Sequence, residues 1–189
     1  MKQIPNIISV FRILLVPVFI YYITIKNNVF AGVILGISGI TDALDGFLAR
    51  KFSWITDIGK IIDPVADKLT QIAVSIVFMI EYPGFWPVFA VLLLKEVAMI
   101  LLVGLMITQG VSFKGAKWFG KITTVIFFLT MVGVLFLPGI LNIDISEGVL
   151  LVLFIINLAF AVISALMYLP DFNEYRRSLK SGEISENKK

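Results

Sequence analysis

Histidine and cysteine are both absent from the 189 residues. Without histidine there is no Ser-His-Asp triad, no His-held zinc and no haem on an imidazole. Without cysteine there is no disulfide, no thiolate chemistry and no indication of redox compartment. Acid-base and metal chemistry are left to carboxylates and lysines. Charge is scarce as well: 15% of residues are charged, against about 25% in an ordinary soluble domain. No small-residue cleavage site follows the first apolar run, so a cleaved signal peptide is not expected. No repeat of solenoid type is visible. The net charge of +3 is modest, so its placement matters more than its total, and no nucleic-acid partner is expected.

What replaces the missing charge is hydrophobic. Apolar residues make up 59% of the chain, where a soluble domain is nearer about half. Several runs approach or exceed the ~20 residues that cross a bilayer. The expected fold is an all-α membrane protein with six transmembrane helices and a short N-terminal interfacial helix. Residues 3 to 12 form the interfacial helix, with Pro5 suited to a first helical position. Asn6, Ser9 and Arg12 recur every third residue as its polar stripe, with Ile4, Ile8 and Phe11 toward lipid. The spans follow at 13–25, 29–48, 57–80, 86–108, 120–137 and 147–169. A membrane domain over 1–170 then gives way to a charged tail over 171–189.

Lysine and arginine fix the orientation. Lys2, Arg12, Arg50, Lys51, Lys114, Lys117, Lys121, Arg176, Arg177, Lys180, Lys188 and Lys189 fall on one side, and Lys26 alone on the other. Both termini are therefore expected in the cytosol, in a multi-pass protein of the cytoplasmic membrane.

Five aspartates lie between residues 42 and 67: Asp42, Asp45, Asp57, Asp63 and Asp67. Asp42/Asp45 are spaced i, i+3 and Asp63/Asp67 i, i+4, so each pair projects from one helix face. A short connection makes the second and third spans antiparallel neighbours, and the four carboxylates converge at the cytosolic surface. Like charges at that range repel strongly in a low dielectric. Hard divalent cations such as Mg²⁺ are the natural counter-charge. Asp57 merely opens the third span, where the helix dipole suffices to hold it.

The full pattern is Asp42-x2-Asp45-Gly46-x2-Ala49-Arg50-x8-Gly59-x3-Asp63-x3-Asp67. It resembles the signature of the CDP-alcohol phosphotransferases, six-helix membrane enzymes, at all eight defined positions. The resemblance extends over most of the chain. It implies attack by an alcohol on a CDP-linked lipid, usually CDP-diacylglycerol, with CMP leaving. It implies that Asp42, Asp45, Asp63 and Asp67 hold two divalent cations, Mg²⁺ or Mn²⁺, with Asp67 also the catalytic base. It implies CDP-lipid contacts from Gly46, Ala49, Arg50 and Gly59, and it suggests a homodimer; Thr56 is counted with the nucleotide contacts, and Asn6, Ser9 and Arg12 on the interfacial helix either touch the nucleotide or lipid or simply anchor in the headgroups. Small residues at 46 and 49 let a base or phosphate approach the backbone, and Arg50 can grip phosphate with two N–H groups.

The acceptor is less sharply written. Asp63-Pro-Val-Ala-Asp67-Lys68 and the opening Ile-Pro-Asn-Ile are similar to the branch that uses sn-glycerol 3-phosphate. Lys114, Lys117 and Lys121 would take the acceptor's phosphate. That branch usually carries Arg-Glu and then Gly-Leu-Arg in the fourth span. Here Lys95-Glu96 and Gly104-Leu105-Met106 stand instead. A phosphatidylglycerol, inositol phosphate or serine acceptor therefore stays open. Lys95-Glu96 is expected to pair with another helix or a second subunit, because lipid exposure of either charge is costly. A cation channel or transporter is the rival from another class. It would bury acids too, but it has no use for the Gly-x2-Ala-Arg insert and should show internal symmetry.

Overall fold

A computed structural model describes residues 4–52, 59–108 and 118–181. Among these residues the regular structure is helical throughout: α1 (Ile4–Thr24), α2 (Asn28–Lys51), α3 (Gly59–Glu81), α4 (Trp86–Thr108), α5 (Trp118–Leu141) and α6 (Glu147–Ser181). A single 3-10 turn, Pro83–Phe85, joins α3 to α4. In a hydrocarbon solvent a helix satisfies its own backbone hydrogen bonds, which is why apolar runs of this length take no other form.

Among the described residues five stretches are long and apolar enough to cross a membrane: Asn6–Thr24, Asn28–Asp45, Pro83–Leu102, Phe119–Leu141 and Glu147–Met167. The chain is a multi-pass membrane protein. The sixth helix, α3, has the length but not the composition. Lys60, Asp63, Asp67 and Lys68 crowd its first half.

Two expectations need correction. The interfacial helix and first span are one uninterrupted helix, with Pro17 inside it. A proline is tolerated there because neighbouring helices and local adjustment re-satisfy the freed carbonyl. Consequently the Asn6/Ser9/Arg12 stripe turns into the bundle instead of outward. Ser9 and Arg12 are buried, whereas Ile7 and Phe11 are exposed. The second correction concerns neighbours. Among the described residues α1 packs between α2 and α3, which share no extensive contact of their own. Beyond these, α6 continues as helix through Ser181. Its 35 residues rise about 50 Å, more than the ~30 Å hydrocarbon core.

The packing closes a ring. Around it run α1, α2, α5, α6, α4 and α3, each against the next, with α3 returning to α1. Side-chain register gives the directions. A Cβ on Gly32 would lie 3.3 Å from Phe136 Cβ, one on Gly36 4.0 Å from Val132, and one on Gly39 3.2 Å from Phe128. Rising numbers on α2 meet falling numbers on α5, so the two are antiparallel and close. Small residues at i and i+4 allow this, replacing hydrophobic drive by van der Waals contact. At the end away from the aspartates, Phe154 is ringed by Phe89 at 4.9 Å, Phe85 at 5.2 Å and Tyr82 at 5.9 Å between ring centroids. There Lys26 Nζ donates to both oxygens of Glu81 at 2.7 Å and ties the α1–α2 turn to the end of α3.

The α2–α5 seam makes a testable claim. Gly32→Leu should lower the thermal midpoint in detergent, at a cost of about 1–3 kcal/mol from overpacking. Gly104→Ala, where nothing lies within 4 Å of the added carbon, should leave it level or higher.

Candidate active site

Near one end of the ring the three helices α1, α2 and α3 bring charged side chains into the bundle. Arg12 and Asp42 lie about equally far from the α1–α2 turn, so the helical rise sets them at one depth. Arg12 is 1% exposed. Its Nη1 donates to Asp42 Oδ1 and its Nη2 to Asp45 Oδ2. One guanidinium thus spans both carboxylates of the i, i+3 pair, which its planar fork is shaped to do. Ser9 Oγ, one turn earlier on α1, donates to Asp45 Oδ2 at 3.3 Å. Asp45 is enclosed at 3% exposure, while Asp42 remains half-buried and open on one side.

The second centre is Asp67 on α3. Gln71, one turn later, donates from Nε2 to Asp67 Oδ1 at 2.7 Å and to Thr124 Oγ1 of α5 at 3.4 Å. Lys68 Nζ stands 3.2 Å from Asp67 Oδ2 and 2.8 Å from Glu96 Oε2 on α4. The latter is an ion pair outside ideal hydrogen-bond angles. Lys95 Nζ donates to the other oxygen of Glu96. The adjacent Lys95 and Glu96 are therefore satisfied by each other and by Lys68 of another helix, as expected of charges that must avoid lipid. The two centres sense one another, since the charges of Asp67 and Lys68 both act on Asp42. Beyond Gln71 a small cavity enters the bundle, lined by Ser75, Lys95, Glu96, Thr123 and Asn157 among others.

The structure brings Asp42, Asp45 and Ser9 together around Arg12 and sets Asp67 within electrostatic reach. Asn6 is half-buried near the start of α1. Asp63 stands on α3 one turn before Asp67, and Gly46, Ala49 and Arg50 on the last turns of α2, with side-chain detail outside the described residues. Gly59 opens α3. Thr56, Lys114 and Lys117 lie outside the described residues. Lys121 is exposed in the first turn of α5. Arg12, Lys68, Gln71 and Glu96 join the site without having been assigned to it from sequence. A stripe at every third residue on α1 pointed toward Arg12. For Gln71 the only signal was its place one turn beyond Asp67.

Among the described residues no three acidic side chains lie close enough to hold one ion. The donor chemistry nevertheless fits a hard divalent cation. Every candidate ligand is a carboxylate oxygen, and Asp42 and Asp45 already face a cationic group. Mg²⁺ or Mn²⁺ prefers this donor set.

A ring of membrane helices with an acid-rich polar centre at one end defines a membrane protein built to handle a charged reactant. Comparison with known proteins specifies which kind. A family model described as CDP-alcohol phosphatidyltransferase matches residues 2–166. A protein of Haemophilus influenzae named CDP-diacylglycerol–glycerol-3-phosphate 3-phosphatidyltransferase is 33% identical over 139 residues, 70% of this chain and 75% of its own length. Proteins of the same name are 31% identical in Shigella flexneri serotype 5b, over 88% of this chain and 93% of theirs, and in Escherichia coli K12, over 73% and 79%. The chain belongs to the CDP-alcohol phosphatidyltransferase family and is an enzyme.

Removing Arg12 tests the first centre. Arg12→Ala leaves the buried Asp45 and the half-buried Asp42 without their cation and should cost about 3–5 kcal/mol, read from the thermal midpoint in detergent. Adding Asp45→Asn to that variant should recover part of the loss, because one of the stranded charges is gone.

Proposed function

We propose that the enzyme transfers a phosphatidyl group from CDP-diacylglycerol to sn-glycerol 3-phosphate, releasing CMP and forming phosphatidylglycerol phosphate. The observation that supports this reading is Arg12 bridging Asp42 and Asp45 with the Asp67 charge within electrostatic reach, in a chain whose relatives bear that activity in their names. In this reading Asp42, Asp45, Asp63 and Asp67 hold two Mg²⁺ or Mn²⁺ ions. Bound ions would supply charge neutralisation on the pyrophosphate being displaced.

The chain's own groups do the rest. The acceptor hydroxyl oxygen attacks the phosphorus that bears the lipid. Its proton passes to Asp67, whose Oδ1 is fixed by Gln71 and whose Oδ2 faces Lys68. The bond from that phosphorus to the CMP oxygen breaks, and CMP leaves with the electron pair. Arg50, Thr56, Gly46, Ala49 and Gly59 receive the cytidine nucleotide, with Asn6 and Ser9 beside it. Lys114, Lys117 and Lys121 draw in the acceptor's phosphate from the cytosol. All six helices cross the cytoplasmic membrane, with both termini and the aspartates on the cytosolic side and the first turns of α1 at the headgroups. The membrane domain covers 1–170 and the segment 171–189 extends beyond it. Two copies associate as a homodimer.

CMP release from CDP-diacylglycerol by the purified protein with Mg²⁺ or Mn²⁺ tests the reaction. Turnover is expected with sn-glycerol 3-phosphate. Turnover only with phosphatidylglycerol, an inositol phosphate or serine would move the enzyme to another branch, and none with any alcohol would reject the reading. Asp67→Asn should lower turnover by about 10²-fold or more while the CDP-lipid still binds. Unchanged turnover removes Asp67 as base.

A further inference from the structure

The pairing on α4 is not explained by charge satisfaction alone. Glu96 is 4% exposed and faces two lysines, one on each oxygen. Lys95 holds Oε1 and thereby aims Oε2 at Lys68. The Lys68 ammonium lies between two carboxylates on different helices and is nearer to Glu96, at 2.8 Å, than to Asp67, at 3.2 Å. A shared cation of this kind divides its electrostatic attraction between its two carboxylates. Without Glu96, the carboxylates left to attract the ammonium among the described residues are Asp67 beside it and Asp42 beyond ion-pair distance. The ammonium would close on Asp67 Oδ2 and occupy lone pairs that a metal ion needs.

We propose that Glu96 is a positioning residue that shares the Lys68 ammonium with Asp67, so that it closes less tightly on Asp67 Oδ2 and a divalent cation can displace it. Lys95 serves the same end by fixing the Glu96 carboxylate. The inference rests on Asp67 being a metal ligand, as in the proposed function. It goes beyond that reading by giving a role to a charge pair on a helix that carries no proposed ligand.

Mn²⁺ binding, followed by the electron paramagnetic resonance signal of the free ion, tests this on the full chain in detergent without substrate. Glu96→Gln keeps the side chain's shape and removes its charge. It should bind Mn²⁺ about ten-fold more weakly, the usual scale for losing an outer-shell partner. Glu96→Gln with Lys68→Gln removes the displaced ammonium too and should return affinity to within about two-fold of the unmodified enzyme. Glu96→Asp retains the charge at shorter reach and should fall between. Unchanged affinity in Glu96→Gln overturns the inference. So does an equal loss in the single and double variants, which would make Glu96 a packing residue only. If the unmodified chain binds no Mn²⁺, the metal reading itself fails, and the two failures are thereby told apart.

Discussion

An acid inside an apolar bundle must meet a cation, and this requirement organises one end of the molecule. A charge at mid-membrane depth costs about 2.5–3.5 kcal/mol on insertion scales. Truncating one partner of a buried pair costs more, because the other is stranded. Here four described acids are answered by three basic side chains: Arg12 between Asp42 and Asp45, Lys68 between Asp67 and Glu96, and Lys95 on Glu96. Each link joins different helices or neighbouring residues. α1 is tied to α2 and α3 to α4 by charge, while α1 and α3 are tied by packing.

The remainder of the ring is held by other means, and the division is spatial. Away from the charged centre the contacts are apolar and close: glycines of α2 against phenylalanines of α5, and the aromatic cluster around Phe154. Lipid tails are as apolar as leucine, so these contacts act through shape and dispersion. A few polar bonds register the helices along the way, such as Asn157 Nδ2 to Thr130 Oγ1 at 2.8 Å and Thr123 Oγ1 to the Phe160 carbonyl at 3.2 Å. The site end thus carries charges with several acceptors each, on a scaffold whose far end is fixed by complementary surfaces.

Much of this was legible in the residues. Some helix bounds followed from apolar length: α4 has the limits its sequence suggests, Trp86–Thr108, whereas α1 starts earlier than the expected span and α6 runs on to Ser181. The Asp42 and Asp45 spacing read correctly as one face, since Arg12 bonds both. Legibility stopped where tertiary neighbours decide the outcome. A short connection suggested that α2 and α3 touch, yet among the described residues both pack on α1, which Arg12 ties to the α2 carboxylates. The polar stripe on α1 was visible, but periodicity alone does not distinguish a face toward water from a face toward a buried acid. The Lys68–Glu96 pair was illegible for the same reason: nothing along the chain links residue 68 to residue 96 until α3 and α4 pack.

The charge balance also bears on how such a site could admit a pyrophosphate. Asp42, Asp45, Asp67 and Glu96 against Arg12, Lys68 and Lys95 leave a net −1, and Asp63 and Arg50, both in the proposed site, cancel one another. A doubly negative pyrophosphate would be repelled by that surface. Under the proposed reading, two divalent cations reverse the sign, which answers the roughly two negative charges of a CDP-linked lipid. Arg12 and the lysines then have a second consequence. By already neutralising most of the acids, they keep the bare site assembled in a low dielectric. They also leave just enough negative charge that cation and substrate bind as complementary halves. A site with more acids would hold cations too tightly to share them with a phosphate. One with fewer would leave the pyrophosphate short of counter-charge.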